Sequence, residues 1–291
     1  SSWINVFPWD ETDGYEGDDE EWYYTTSAGK VTKGKKTIGD LTYIFDAEGK
    51  MLTEWVGLGY AEDATFEEIK AADSADYKEV YFCDEDYGYV KKNGWRYLES
   101  ADGDDDYWFH FDKLGRAFMA TSSNTPIAAV EYTFNDGENL DKQFTYETAS
   151  NVNSKKIDGV VYYFNEQGEM IDGLQMINDE LVYLEDGARQ TGKVTLTDEN
   201  ENDYTFYFGE KTENEKGIEK YVAVTGAYKN YIYVSGQLIT SDDSDSYRLV
   251  NVNGKKYVVD HNGKIQHKDG KDYGLGLGEL KFDADGDYIL E

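Results

Sequence analysis

Cysteine and proline are almost missing from this chain of 291 residues, which has one cysteine, Cys83, and two prolines. A single cysteine excludes an intrachain disulfide, and it excludes metal or Cys/His catalytic sites that need several such residues. Its place in the aromatic segment 80–83 predicts a small, packed side chain. So few prolines leave strands uninterrupted, because proline removes a backbone donor from a sheet.

Basic residues are also scarce. Lysine and arginine number 28 against 60 aspartates and glutamates, so the net charge is −32. Nucleic acid is therefore excluded as a partner, since phosphate binding requires a basic surface. Anionic membrane surfaces are disfavoured for the same reason. The charge predicts a solvated acidic surface on an extended particle whose parts repel one another.

Long hydrophobic runs are absent. No stretch approaches the ~18 apolar residues of a membrane helix, so no transmembrane segment is expected. A basic-then-apolar secretion signal is absent as well. The chain starts at Ser1 without an initiator methionine, which we interpret as a mature or excised fragment.

Aromatic residues are abundant. They make up 15% of the chain, with 26 tyrosines, although apolar residues are only 39%. A disordered acidic chain would be poor in aromatics. Tyrosine favours pleated, half-buried surfaces and carries a polar tip. The composition therefore predicts a folded all-β protein.

Residues 155–173 define a repeating unit. An Asp158-Gly159 turn precedes the aromatic strand 160–164, and a second turn ends at Gly168 before a return strand. Aligned on that last glycine, other segments nearly always carry apolar or aromatic residues six and four positions earlier, although an acid takes the second position in the copies at Gly88 and Gly103. The turn glycines of these copies are Gly29, Gly49, Gly88, Gly103, Gly115, Gly168, Gly263 and Gly286. Gly49 follows Gly29 by 20 residues, and a period of this size indicates a repeat array.

The residues of each turn fit a hairpin. Asp46 starts one turn and Gly49 ends it. Aspartate at that position accepts hydrogen bonds from turn N–H groups, and glycine adopts the positive φ that the turn requires. Asp283, Asp285 and Asp287 around Gly286 could indicate calcium, but their spacing does not fit an EF-hand. The repeat explains them better.

Two stretches interrupt the repeats and define the predicted organisation. Residues 61–77 have helical spacing and acids at the front, which predicts a short helix or a decorated loop. Residues 121–154 predict a divergent hairpin or a joint. The predicted segments are an N-terminal cap with an acidic linker at 1–21, a first array at 22–120, the joint at 121–154 and a second array at 155–291.

Residues 156–170, KIDGVVYYFNEQGEM, combine an Asp-Gly turn, an aromatic triplet and an Asn-x-x-Gly-x-Met turn. This pattern resembles the cell-wall-binding repeats of Gram-positive surface proteins. That superfamily includes choline-binding modules, glucan-binding repeats of glucansucrases and carbohydrate-binding repeats of large clostridial toxins. Residues 50–55, 93–98 and 253–262 match further parts of the pattern. The resemblance implies a β-solenoid of stacked hairpins with aromatic ligand sites between them.

The resemblance also supplies candidate ligand residues. Trp55 stands at the position of the Gly-Trp pair, Trp22 and Trp108 begin aromatic triplets, and Trp95 follows an Asn-Gly turn. Aromatic strand positions add Tyr43, Tyr162 and Tyr163. In the second half, Leu174, Val161 and Lys256 replace the expected tryptophans, so choline cages are mostly missing. The remaining aromatic residues are mostly tyrosines, which favour glycans or protein surfaces as ligands. An aromatic residue at strand spacing is first a stacking residue.

Nothing in the sequence points to catalysis. Acid pairs such as Asp104 and Asp106 occur throughout, so they do not single out a glycosidase site. The three histidines, including His110, form no recognisable triad. The acidic run 102–106 could hold calcium, but a solvated loop fits it better. We expect no enzyme activity, no metal and no cofactor.

We therefore predict a non-catalytic, extracellular binding module at the cell surface or in the secreted fraction. Its partner would be a carbohydrate or cell-wall polymer: wall polymer, glucan or host glycan. One alternative is a structural or adhesin array that binds a surface protein through residues 61–77 and 121–154. An unusual glycosidase is the third hypothesis.

Overall fold

In the computed structural model, the described residues are 1–6, 9–10, 15–16, 20–69, 71–99, 105–121, 124–132, 144–146, 150–197 and 200–289. The predicted all-β array of hairpin repeats is confirmed, since small antiparallel sheets make up nearly all of the regular structure. The helical elements of the described part are two 3-10 turns, Ala71–Asp76 and Asn214–Lys216.

In chain order, the described strands are β1 (Ser2–Val6), β2 (Trp9–Asp10), β3 (Tyr15–Glu16), β4 (Glu21–Thr25), β5 (Gly34–Ile38), β6 (Leu41–Phe45), β7 (Glu54–Leu58), β8 (Phe66–Glu68), β9 (Glu79–Cys83), β10 (Gly94–Glu99), β11 (Asp106–Phe111), β12 (Thr125–Tyr132), β13 (Phe144–Tyr146), β14 (Ser150–Ile157), β15 (Val160–Phe164), β16 (Gly173–Ile177), β17 (Glu180–Glu185), β18 (Ala188–Arg189), β19 (Gly192–Thr197), β20 (Asp203–Phe208), β21 (Gly226–Tyr228), β22 (Tyr231–Val234), β23 (Gln237–Leu238), β24 (Arg248–Val252), β25 (Lys255–Val259), β26 (Lys271–Asp272), β27 (Glu279–Phe282) and β28 (Tyr288–Ile289).

The turns have the predicted chemistry. Oδ1 of Asp46 accepts hydrogen bonds from the backbone N–H groups of Glu48, Gly49 and Lys50 at 2.7–2.9 Å. Gly49 has a φ of 95°. Asp283 accepts in the same way from the N–H groups of residues 285 and 287. This carboxylate is thus part of a repeat turn, as the sequence predicts.

Backbone hydrogen bonds link successive repeats. In each link, the donor is the N–H group of the residue two positions after a turn glycine. The acceptor is a carbonyl of an earlier repeat, seven positions before the turn glycine of that repeat. Such bonds join Met51 to Trp22, Val90 to Thr42 and Met170 to Trp108, at 2.7, 2.7 and 2.9 Å. Because a lone hairpin is only marginally stable in water, these links and the packing around them stabilise the array.

The chain divides into two compact units. Unit 1 contains residues 1–124, 151–155 and 163–171. Its strands form the hairpins β1–β4, β5–β6 and β10–β11, and the sheet β8–β7–β9. One part of its core centres on Ile44, Val56 and Tyr81, and another on Trp55, Phe82 and Phe109.

Unit 2 contains residues 125–150, 156–162 and 172–291. It includes the sheet β19–β20–β23–β22–β21, the hairpin β24–β25 and the sheet β26–β27–β28. Strand β16 pairs with β12 and with β17. The cores of this unit collect residues such as Ile232 and Val259, Tyr207 and Tyr233, and Val258 and Leu280.

The helical spacing of residues 61–77 does not produce an α-helix. Phe66–Glu68 is strand β8, which pairs with β7, and Ala71–Asp76 is a 3-10 turn. Ile69 is buried in the core, and its N–H donates to the carbonyl of Trp55 at 2.9 Å. The apolar residues therefore complete a sheet of the same unit.

Trp3 of the predicted N-terminal cap packs against two tyrosines of the first repeats. Its ring lies 5.1 Å from that of Tyr24 and 4.8 Å from that of Tyr43 (centroid to centroid). Several predicted features lie outside the described residues. They are most of the acidic linker, the Gly103 turn with most of the acidic run 102–106, and the turn 135–137. The predicted segment boundaries remain predictions.

Candidate functional site

The hairpin β10–β11 has two chemically different faces. Its register pairs Trp95 with His110, Tyr97 with Trp108, and Glu99 with Asp106. Residues directly opposite each other in an antiparallel pair point to the same side, so these six side chains share one face. We call this set the outer face. Phe109 and Phe111 alternate onto the inner face.

The inner face belongs to the hydrophobic core. Phe109 and Phe111 are almost fully buried and pack against Trp55, with ring centroids 4.7 and 6.2 Å from the indole. Nε1 of Trp55 donates to the carbonyl of Glu99 at 3.0 Å. This packing fixes the hairpin in place and so determines where the outer face points.

The outer face presents aromatic rings to solvent. Tyr97 is 55% exposed and Trp108 is 44% exposed. Their ring centroids are 5.2 Å apart at an interplanar angle of 48°. Trp95 stands perpendicular to Trp108, with centroids 6.3 Å apart at 90°. The three rings form a corner rather than a flat layer.

Buried rings support this corner. Trp95 stacks on Phe164 at 5.7 Å and 25°, and Phe164 contacts Phe118 edge-on at 5.3 Å. His110 lies against Trp95 at 5.2 Å and 86°. Phe164 is completely buried, so it holds one side of Trp95 in a fixed position. Trp95 is therefore held in place by packing within the protein.

Two carboxylates border the aromatic corner. Glu99 and Asp106 are exposed and directly opposite each other, next to Tyr97 and Trp108 on the same face. Like charges at such positions are unfavourable for the hairpin itself. They supply four acceptor oxygens beside exposed rings, which is an arrangement that can bind hydroxyl groups or a cation.

Among the seven sequence candidates, Trp95 and Trp108 lie together on the outer face, with ring centroids 6.3 Å apart. Trp55 is 7% exposed and belongs to the core, because both its rings and its Nε1 are occupied. Trp22 is 36% exposed on β4, and the described residues include no ring in contact with it. Trp55 therefore acts as a core residue that packs between hairpins, and it is not a surface ligand residue.

The three tyrosine candidates belong to other strands than the outer face, Tyr43 to β6 and Tyr162 with Tyr163 to β15. Tyr43 is half-buried beneath Trp3 in the N-terminal repeats. Tyr162 pairs with Ala188 on β18, within unit 2. Tyr163 is half-buried in unit 1, where its carbonyl accepts a bond from the N–H of Ile171 at 3.1 Å.

The sequence candidates omit Tyr97, which is the most exposed ring of the corner. A signal for it existed in the alternation of β10, since Tyr97 lies two residues after Trp95 and so shares its face. What the sequence did not show was the register that places Tyr97 opposite Trp108.

A cavity of about 470 Å³ in unit 2 offers a contrast. It is lined by lysines, asparagines and acids, but its tyrosines, Tyr228 and Tyr257, are buried. It therefore lacks an exposed ring for stacking. Within the described part of the chain, no group of three or more His, Cys, Asp or Glu side chains could hold a metal ion. The same part contains no helix long and apolar enough to span a membrane.

Comparisons with known proteins return structural likeness only. No family model matches the chain, and no curated protein matches it. Among solved structures, the modular autolysin LytC of Streptococcus pneumoniae, in complex with a synthetic peptidoglycan ligand, matches at 16% identity and a TM-score of 0.44. The match covers 100% of this chain and 48% of LytC, so the chain spans about half of that protein's length.

Two further pneumococcal proteins match. Choline binding protein F matches at 15% identity and a TM-score of 0.32, over 98% of this chain and 99% of that one. CbpJ matches at 16% identity and a TM-score of 0.25, over 99% and 100%. At these identities and TM-scores, no ligand residue is transferred from any of them. This chain is thus similar to proteins of the class that its repeat sequence resembles.

Proposed function

We propose that this chain is a non-catalytic, extracellular module that binds cell-wall polymer or a related glycan, and that the outer face of β10–β11 is its binding site. The observation that carries the proposal is the solvent-facing pair Tyr97–Trp108, set perpendicular to Trp95. Trp22, Tyr43, Tyr162 and Tyr163 are secondary candidates. Trp55 is left out because it is buried.

The corner suits a sugar ring in two ways. The faces of Trp108 and Tyr97 offer apolar area to the C–H groups of a pyranose, and exposed aromatic rings of this kind dominate the energetics of binding sites. Glu99 and Asp106 offer acceptors to its hydroxyl groups. Because Phe164 fixes Trp95, little side-chain entropy is lost on binding.

The negative charge of the chain bears on the ligand. A net charge of −32 disfavours a polyanionic polymer unless its charge is offset locally. A neutral glucan, or a polymer that carries cationic groups, fits the site better. A cation would be attracted by Glu99, Asp106 and the ring faces of Tyr97 and Trp108.

The test is co-sedimentation of the purified chain with Gram-positive cell walls and with insoluble glucan. The variants are Trp108→Ala, Tyr97→Ala and the double variant. Tyr87→Ala is the matched control, because Tyr87 is 70% exposed on a turn and its ring contacts no other aromatic ring of the described residues. We expect each corner variant to weaken pelleting by about thirtyfold, the effect of a 2 kcal/mol anchor, and Tyr87→Ala to leave it unchanged.

Competitors identify the ligand class. Release by soluble glucan would mark a sugar site, and release by choline would mark a quaternary ammonium site on the same rings. Equal pelleting of all variants would show that the outer face is not the site. Absence of pelleting on every surface would contradict the module itself and favour the protein-binding alternative.

A further inference from the structure

A cavity of about 360 Å³ lies in unit 1 and shares no lining residue with the outer face of β10–β11. Its basic side chains come from three places in the chain. Lys78 directly precedes β9, Arg116 follows the turn after β11, and Lys155 belongs to β14. Residues 117–119, Ala-Phe-Met, line the same cavity. Positive charge and apolar surface are therefore combined in one place.

The two acids of the lining are engaged by other groups of the protein. Asp112 accepts from Nε of Arg116 at 2.8 Å and forms an ion pair with Nη2 at 2.8 Å. Glu79 lies 3.6 Å from Nη1 of Arg116 and accepts from the Tyr81 hydroxyl at 2.5 Å. The Tyr81 oxygen in turn accepts from Nζ of Lys35 at 2.7 Å. Because the ring of Tyr81 is fully buried, this network forms a fixed wall.

The two lysines of the lining have no such partners. Within the described part of the chain, no carboxylate forms an ion pair with Lys78 or Lys155. Lys155 is half-buried, with Nζ 4.8 Å from the ring centroid of Phe118. A ring face attracts an ammonium group but leaves its N–H donors available. With three bases and two acids, the lining has an excess of one positive charge in a chain whose net charge is −32.

An anionic group is the ligand that this lining lacks. Ammonium groups donate strong, charge-assisted hydrogen bonds to the oxygens of a carboxylate or a phosphate. The Phe118 ring offers apolar surface to the C–H groups next to such an anion. The volume lies at the lower end of the range for small-molecule sites, which suits one charged sugar or a smaller acid. The acidity of the whole chain disfavours a ligand with many negative charges.

We propose that this cavity binds a single anionic group, a carboxylate or a phosphate, on a small carbon framework such as a sugar. Lys78 and Lys155 bind the anionic oxygens, and Phe118 packs against the framework. The Arg116 network holds its own two acids away from the ligand. The site stands whether or not the outer face of β10–β11 binds a glycan, since it uses other residues and recognises charge.

The test is calorimetric titration of the full chain with sodium glucuronate and with sodium glycerol phosphate. Neutral glucose is the uncharged comparison, and sodium chloride keeps the ionic strength constant. We expect saturable binding of at least one anion, none of glucose, and NMR shifts of the backbone N–H groups of residues 116–119. The anion that binds more tightly identifies the preferred group. Saturation by neither anion, or equal binding of glucose, would overturn the proposal.

Variants locate the site. Lys78→Met and Lys155→Met remove one charge each and keep an unbranched apolar stem, and each should weaken anion binding by about tenfold. Lys155→Arg keeps the charge and should retain binding. Lys113→Met is the matched control, because Lys113 is exposed on the turn after β11 and does not line the cavity. A loss in Lys113→Met as large as in Lys155→Met would show that the anion responds to diffuse charge and would overturn the site.

Discussion

Val90 packs so closely against Gly115 that a β-carbon on the glycine would collide with Cγ1 of the valine. Val90 follows the turn glycine of its own repeat, Gly88, by two residues, and Gly115 is the next described turn glycine. The same relationship joins Leu238 to Gly263, with a β-carbon 2.5 Å from Cδ1, and Ile265 to Gly286, at 2.7 Å. Each of these three turn glycines therefore serves two purposes, positive φ and close approach of the preceding repeat.

Gly115→Ala should destabilise unit 1 more than Gly29→Ala does. Both glycines have positive φ, at 88° and 74°, so each alanine carries a conformational cost of about 1–2 kcal/mol. Only Gly115 also meets Val90, because Gly29 has open space around it. Overpacking adds about 1–3 kcal/mol. Chemical denaturation of the two variants measures the difference, and equal losses would show that Val90 moves aside freely.

Trp55→Ala should unfold the first repeats rather than weaken ligand binding. Trp55 fills the space between Phe82 and Phe109, so its truncation leaves a large cavity and should cost about 3–5 kcal/mol. Trp108→Ala should cost less than about 2 kcal/mol, since its ring is 44% exposed. Denaturant midpoints compare the two. If the Trp55→Ala chain is stably folded but no longer binds glycan, Trp55 is a ligand-binding residue and this prediction is wrong.

Cys83 should resist thiol reagents while the chain is folded. Burial, aided by the nearby carboxylate of Asp84, raises the pKa of the Cys83 thiol to about 12. Reactivity follows the thiolate, so reaction with an alkylating reagent at about pH 8 should proceed only through opening of the core. The labelling rate, measured with and without denaturant, checks this. Fast labelling of the folded chain would mean that β9 opens readily.

Stability should fall in alkaline solution as the tyrosines ionise. Burial raises the pKa of Tyr23 and of Tyr233 from 10.0 to about 12, with the Glu21 carboxylate adding to the shift at Tyr23. The folded chain thus holds these protons more tightly than the unfolded chain does. Their contribution is complete below about pH 10 and is lost as the pH rises through about 12.

Tyrosinate absorbance during an alkaline titration, together with denaturation at about pH 9 and about pH 11, tests this expectation. A fraction of the 26 tyrosines should ionise late and together with unfolding. If Tyr23 and Tyr233 ionise near pH 10 while the chain stays folded, burial does not raise their pKa and the prediction is wrong.

The sequence anticipated the turns well because turn chemistry is local. Asp46 and Gly49 lie within one turn, and their roles follow from a carboxylate that accepts nearby N–H groups and from a residue that tolerates positive φ. At 61–77 it anticipated a short helix or a decorated loop, and the structure has the 3-10 turn Ala71–Asp76 there, preceded by strand β8. Phe66 and Ile69 have helical spacing, but pairing with β7 outweighs that weak local preference.

Composition, turn residues and the period of about 20 residues therefore determine, without coordinates, that this chain is an acidic all-β array of hairpins. Only the tertiary structure decided which aromatic rings are covered. Trp55 and Trp108 are both candidate ligand residues in the sequence, yet Trp55 is enclosed by Phe82, Phe109 and Phe111, whereas Trp108 faces solvent beside Tyr97. Burial depends on strand register and on what packs behind each hairpin, and both are set by contacts between residues far apart in the chain.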